Sequence, residues 1–421
     1  MIYFGLLVYL FLLFIRPAEW VSAVQGWPLE FVVLALVGTA ALVKAFVMNS
    51  AGRPRGIPVQ IPLLALWVVA IFLSNAVHGN LWAAREFTLL FAKRALIFLV
   101  FWLVIDSTRK LRGVLTLTVF LVAILAIQGI YMKQNGVGWA GQPMYWGDRI
   151  RWVGLWDGAN VLSLLFVSTV PFVLEMIFGP WKLLSKLFGL CTGGLILIGM
   201  YLAASRGAWV ALGVVFLVYF KRRLGRVGLA LAALAIVGMI AFGPSRLMHQ
   251  SEIDKSSSAH RIDMWAEGIE MLKGNPVLGI GKGQFRSYTH MLIAHNTFVQ
   301  NMGETGMVGL FIWVALAYSC FQSLGMVLRH ENQLSVSLVS LRRAVLVSFI
   351  AYMTASLFIS TDFEPFYILI ALSSALLTIA RREVGQELPV KLNLQSLRNI
   401  ALIEFAGVVM VHFAVMFYYR R

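Results

Sequence analysis

Residues 109–136 read RKLRGVLTLTVFLVAILAIQGIYMKQNG, and the nineteen from Gly113 to Tyr131 carry no charge. At 1.5 Å of rise per residue, about 20 apolar residues cross the roughly 30 Å hydrocarbon layer of a bilayer as a helix. The basic cluster at the head of this stretch, against one lysine at its tail, orients the helix, because Lys and Arg collect on the cytoplasmic side. A single segment of this kind would be an anchor. Here the pattern recurs from end to end.

Apolar runs stand at 2–16, 28–48, 60–77, 88–106, 113–131, 158–179, 187–204, 208–220, 227–243, 306–327, 344–361, 366–380 and 399–418. The 421 residues are 60% hydrophobic and 13% charged, with a mean hydropathy of +0.81. Soluble domains carry about 25% charged residues, so an ordinary soluble enzyme, a disordered chain and a disulfide scaffold are excluded. The expectation is an all-α polytopic membrane protein of twelve or thirteen spans with one long periplasmic loop carrying short helices. Residues 1–157 form the N-terminal spans and a Trp/Arg-rich periplasmic loop, 158–327 a core holding the long loop 244–305, and 328–421 the C-terminal spans. The N-terminal run lacks a basic leader and a small-residue cleavage site, and reads as a retained first span. Cys191 and Cys320 both sit in apolar runs, so neither a disulfide framework nor a metal cluster is expected.

With the N-terminus in the cytoplasm, alternate loops hold eighteen Lys and Arg, among them Arg53, Arg55, Arg109, Arg222, Arg343 and Arg381. The opposite short loops hold little beyond Arg16 and Arg85. This asymmetry absorbs about half of the 35 basic residues behind the net charge of +16 and leaves no reason to invoke nucleic acid. Two outer segments break the pattern. One is 132–157. The other is 244–305, with Arg246, Lys255, Arg261, Lys273, Lys282, Arg286 and four of the seven histidines. Long outer loops are exempt from the positive-inside count, so this basic content needs a cause of its own.

Three groups of residues bear on chemistry. Within AHNTFVQNMGETGMVGL, Ala294 to Leu310, His295 and Asn296 precede an apolar helix whose Gly303, Gly306 and Gly309 share a face and permit close packing. The competing reading of His295 is an interfacial histidine at a helix start. Arg206 stands between two apolar segments on the outer side, against the topological tendency, while Arg261 lies in the long loop and Arg149 and Arg151 in the Trp-rich one. A guanidinium is permanently charged and its fork of donors matches phosphate, so arginines converging at one face suit a lipid-linked phosphate or diphosphate. Snorkelling to headgroups is the alternative. Gly279, Gly281 and Gly283 imitate a phosphate loop, but the Walker Ser/Thr is missing. No His or Cys ligand spacing appears, so no metal is expected. Asp106 and Glu175 read as structural, Asp362 and Glu364 as a solvated turn or a sugar or cation site, and Lys93, Arg94 and Glu404 have no assignment from sequence.

Taken together these stretches resemble the O-antigen ligase and polymerase family of bacterial membrane glycosyltransferases. The resemblance rests on Ser205-Arg206-Gly207, Arg261 before Trp265, Asn275-Pro276 through Gly279-x-Gly281 to Phe285, and His295-Asn296 followed by Gly306-x-x-Gly309. It covers about 150–310. It implies a periplasmic base, falling on His295, and arginines that hold undecaprenyl diphosphate, falling on Arg206 and Arg261. Arg151 and Asn160, and with them Trp265, Lys282 and Asn296, are expected to contact substrate. The implied partners are an undecaprenyl-diphosphate-linked glycan donor, a glycan or lipid A–core acceptor and the lipid bilayer of the inner membrane, with no cofactor. Ligase and polymerase are not separated. A reading from a different class is a lipid-linked glycan flippase, which would place its polar residues near the bilayer midplane at broken helices.

Overall fold

The computed structural model describes residues 1–50, 56–146, 148–242, 252–290 and 292–420. Arg53, Arg55 and Arg246, used above for topology and loop charge, lie outside them. Apolar composition and internally satisfied backbone make helices the solution in lipid, and the described residues fold as helices joined by connections that are mostly short. These are α1 (Ile2–Ile15), α2 (Leu29–Ser50), α3 (Gln60–Ala76), α4 (Leu81–Val104), α5 (Thr108–Asn135), α6 (Ala159–Phe178) and α7 (Leu183–Ala203). They continue with α8 (Arg206–Phe242), α9 (Glu252–Gly274), α10 (Phe285–Tyr288), α11 (Thr297–Arg329), α12 (Val336–Ser356), α13 (Glu364–Val384) and α14 (Leu394–Tyr419).

Among the described residues ten helices are long and apolar enough to cross a membrane, with α3 a shorter apolar helix. The all-α polytopic reading is therefore correct. The helix α8 is two legs: Gly225 adopts φ 57° and ψ −125°, and Gly213 lies against Ile236. The chain turns back between them, as the separate runs 208–220 and 227–243 anticipate. The final helix α14, also long enough to span, is largely exposed along its length.

Burial follows composition. Helices α6 and α13 are enclosed on nearly all sides, while α2, α7 and α14 turn most of their apolar surface outward, as a helix facing lipid does. Several charges inside this apolar body are paired, which is how intramembrane charges are kept, while Glu404, buried in α14, has a carboxylate oxygen without a hydrogen-bond partner. Arg16 meets Glu30 at 3.0 Å, Lys93 lies 3.9 Å from Glu30 and 3.8 Å from Glu364, and Arg94 lies 4.0 Å from Glu364. Lys93, Arg94 and Glu364, unexplained or ambiguous in sequence, thus tie α2, α4 and α13 together. Towards the other face, Asp106 pairs with Lys110 at 2.7 Å, and buried Glu175 accepts from Ser340 and Tyr219.

Two expectations about the long loop change. Its longest helix, α9, has 23 residues and is not short. The apolar helix expected at 306–327 begins nine residues earlier and is broken. Gly306 has φ 61° and ψ −165°, so Gly303, Gly306 and Gly309 do not form one continuous seam. The loop 275–283 enters the break: Met307 N–H donates to Pro276 O, Ile280 N–H to Gly303 O and Gly281 N–H to Glu304 O, each at 2.9–3.0 Å. The backbone groups freed by the break find partners there, as irregular backbone near a membrane must. A Cβ on Gly306 would stand 2.5 Å from Val277 O, and one on Gly279 would collide with the backbone of Glu304 and Thr305. The two glycines are required where the segments cross.

Candidate active site

The site assembles around the junction between the loop and α11. Asn296 caps α11, its Oδ1 accepting from the Phe298 and Val299 N–H groups at 2.9 and 3.3 Å. An Asn at this position satisfies donors that the first turn leaves open. On the other side, Trp265 Nε1–H donates to Ala294 O at 3.1 Å. His295 is the one residue between these two anchors. Its φ of +49° is left-handed, a conformation rare for a residue with a side chain and kept where surrounding contacts dictate it.

His295 is half-buried, and its Nδ1 has no hydrogen-bond partner. Burial, and next to it the positive charge of Arg261, with lesser contributions from His260 and Arg286, lowers its pKa to about 4. The imidazole is neutral at pH 7 and able to accept a proton. Arg261 and Trp265 stand four residues apart on α9, one turn, so a single face of that helix presents both to His295. Arg286, exposed on α10, joins the same cluster. Sequence reading counted Arg286 only as loop charge. Its position one residue past Phe285, directly after the quoted motif, is the signal that was available.

Arg206 begins α8 after a tight turn. Ala204 closes α7 in a left-handed conformation, and Arg149, buried, donates Nε–H to Ala203 O at 2.8 Å. The other end of that guanidinium donates to Asn160 Oδ1 at 2.7 Å. Arg149 and Asn160 therefore hold the turn that carries Arg206. Next to it, Gly207 packs against Phe358: a Cβ there would lie 2.5 Å from Phe358 Cβ. One residue on, Ile359 O lies 2.8 Å from the hydroxyl of Thr297, which also accepts the Thr361 N–H at 2.8 Å. The connection 357–363 thus joins the Arg206 turn to the His295 junction.

Arg151 lies apart from that junction's contacts. It donates to Pro143 O and pairs with Asp157, both at 2.8 Å, within the Trp-rich loop. Lys282 is buried, with Nζ at 2.5 Å from Asn301 Oδ1, 3.2 Å from Glu304 and 3.3 Å from Asp362. All three of its protons face protein. Glu304, Asn301 and Asp362 form a polar cluster that the sequence did not single out as such, since its members come from two distant segments. Among the described residues no three His, Cys, Asp or Glu side chains gather as metal ligands would.

Residues 192–314 match the family model described as O-antigen ligase. The match runs from α7 past the break in α11 and takes in Arg206, Arg261, Trp265, Lys282, His295 and Asn296. No curated protein matches the chain.

Proposed function

We propose that this chain, an O-antigen ligase family protein through residues 192–314, moves a glycan from an undecaprenyl-diphosphate carrier to an acceptor hydroxyl at the periplasmic face of the bacterial inner membrane. The observation that carries the proposal is the anchored His295, neutral and surrounded by cationic groups. An acceptor hydroxyl is a weak nucleophile at neutral pH, and a positioned base is worth about 10²–10⁴-fold. In this reading His295 takes the hydroxyl proton as the acceptor oxygen bonds to the anomeric carbon. The bond from that carbon to the diphosphate oxygen breaks, and its electron pair leaves with the lipid diphosphate. Arg206 and Arg261 bind that anion and stabilise the charge it gains, a preorganised electrostatic role. The donor's negative charge also offsets the cations that depress His295, so donor binding raises its basicity when it is needed. No step calls for a metal.

Trp265 and Asn296 position the base and Asn160 positions Arg206, while Lys282 holds the loop that fills the break. Arg151, at the rim of the Trp-rich loop, is assigned to the acceptor side. The break in α11 favours the flippase reading at first sight. However, 23 residues, 307–329, remain beyond it, about 34 Å of helix and a full bilayer crossing. This length supports a break near a membrane boundary, the outer one in this reading, away from the midplane, and an enzyme at one face is the better reading. The test is purified protein with a lipid-diphosphate glycan and its acceptor. Transfer by the native chain and none by a folded His295→Ala variant supports the proposal; equal transfer by both removes it.

A further inference from the structure

A cavity of about 160 Å³ lies between α4, the 282–283 turn, the first turns of α11 and the connection 357–363. Phe87, Phe91 and Phe363 give it an apolar wall. Opposite them are polar atoms whose orientation their neighbours fix. Asn301 accepts from Lys282 through Oδ1, so its Nδ2 is the free end, and it bonds nothing although Asn301 is wholly buried. Gln300 gives its Nε2 proton to Glu304 at 2.9 Å, which leaves Oε1 as an acceptor without a donor. Ser360 Oγ, on the same lining, is also without a hydrogen bond, as is Arg94 Nε, which stands 4.0 Å from the Glu364 carboxylate. A buried polar group left open costs on the order of 1–3 kcal/mol, and four open atoms around one space point to a ligand.

Its chemistry can be read from the lining. Open donors and open acceptors are both present, and a hydroxyl is both at once. Arg94 and Lys282 balance Glu304 and Asp362, so the lining carries no net charge and favours a neutral occupant. The volume is below the roughly 300 Å³ at which drug-sized sites begin, which fits one ring and not a chain of them. Thr297, two residues past His295, is part of the wall. A larger cavity, about 540 Å³ around Glu175, differs: that carboxylate already accepts from Ser340 and Tyr219.

We propose that the cavity is a subsite for one neutral sugar ring, with Asn301, Gln300 and Ser360 bonding its hydroxyls and the phenylalanines covering its C–H face. The inference rests on the glycan-transfer reading for the source of the ring, which donor or acceptor can supply.

The test separates binding from turnover. Saturation-transfer NMR is run on the full chain in detergent with methyl glycosides of glucose, galactose and rhamnose, and with methyl glucuronide as the charged counterpart. Transfer to at least one neutral glycoside, and none to the glucuronide, is expected. Ser360→Leu, which fills the cavity, should abolish it, and Ser360→Ala, which removes one hydroxyl and cannot obstruct folding, should weaken it about two- to tenfold. No transfer from the native protein, or transfer unchanged in Ser360→Ala, overturns the subsite. In turnover, Ser360→Ala should raise KM for the donor if the donor sugar sits there, or for the acceptor if the acceptor does. Glycan transfer with both KM values unchanged sinks the subsite and leaves the proposed function standing. Glycoside binding without any glycan transfer does the reverse.

Discussion

Trp265 donates its indole N–H to the carbonyl oxygen of Ala294 at 3.1 Å, across twenty-nine residues of chain. The bond fixes the residue before His295 as firmly as the Asn296 cap fixes the residue after it. A proton-transfer geometry disturbed by about 1 Å loses on the order of 100-fold in rate. Trp265→Phe keeps an aromatic ring and removes the donor, so kcat should fall about ten- to a hundredfold with donor KM changed little. A loss confined to KM would make Trp265 a substrate contact and nothing more.

The state of His295 gives a pH prediction. A base works in its neutral form, and burial together with Arg261 places the protonation of His295 near pH 4, below the usual 6.5. For free enzyme and substrate, kcat/KM should stay level from pH 8 down to about 5 and fall with a midpoint near 4. The kcat profile, which reads donor-bound enzyme, should break at higher pH because the diphosphate offsets the surrounding cations. Arg261→Gln should raise the kcat/KM midpoint. A native midpoint at 6.5 would mean that His295 is neither desolvated nor under that field.

Arginine at 206 and 261 is expected to act through the shape of its donors. Arg206→Lys and Arg261→Lys keep the charge but lose the fork, and each should lower kcat/KM at least tenfold. Full activity in both would reduce these residues to point charges.

The fold was largely legible because lipid imposes one rule on every span, and nineteen uncharged residues such as 113–131 state it openly. The ends were less legible. The helix read at 88–106 begins at Leu81, where Asn80 accepts from Ala83 N–H, and a cap in a polar stretch leaves no mark on hydropathy. Gly306 was visible as a glycine but not as a break, since the conformation depends on the loop 275–283 entering from another part of the chain. The same limit applies to the site. His295, Arg206 and Arg261 stand in recognisable local motifs, whereas the cluster of Lys282, Asn301, Glu304 and Asp362 exists only after α11 and the 357–363 connection meet. Arg149, for which the sequence leaves phosphate binding and headgroup snorkelling both open, proves to be a buried brace for the Arg206 turn.

The proposed periplasmic placement of the site predicts accessibility from one side. Ser287 is exposed on α10, beside Arg286. In a background of Cys191→Ser and Cys320→Ser, Ser287→Cys should react with a membrane-impermeant thiol reagent once the outer membrane alone is permeabilised. Labelling only after the inner membrane is lysed would invert the topology and, with it, the proposed chemistry.

Gly306 supplies the sharpest test of the break in α11. Its φ of 61° with ψ of −165° belongs to a region that glycine alone occupies readily, and a Cβ would press on Val277 O. Gly306→Ala must either strain the crossing or straighten the helix and expel the 275–283 loop, which would also strip Gly303 O and Glu304 O of their partners. Either outcome should cost roughly 3 kcal/mol or more and disable transfer, since Lys282 and the loop beneath His295 move together. Gly325 lies in the same helix with open space around its Cα, so Gly325→Ala should be neutral or stabilising by up to about 1 kcal/mol. Thermal melting of the two variants in one detergent makes the comparison direct. Equal melting temperatures would mean that residues 303–309 run as the continuous helix their glycine spacing suggests, and that the loop does not enter it.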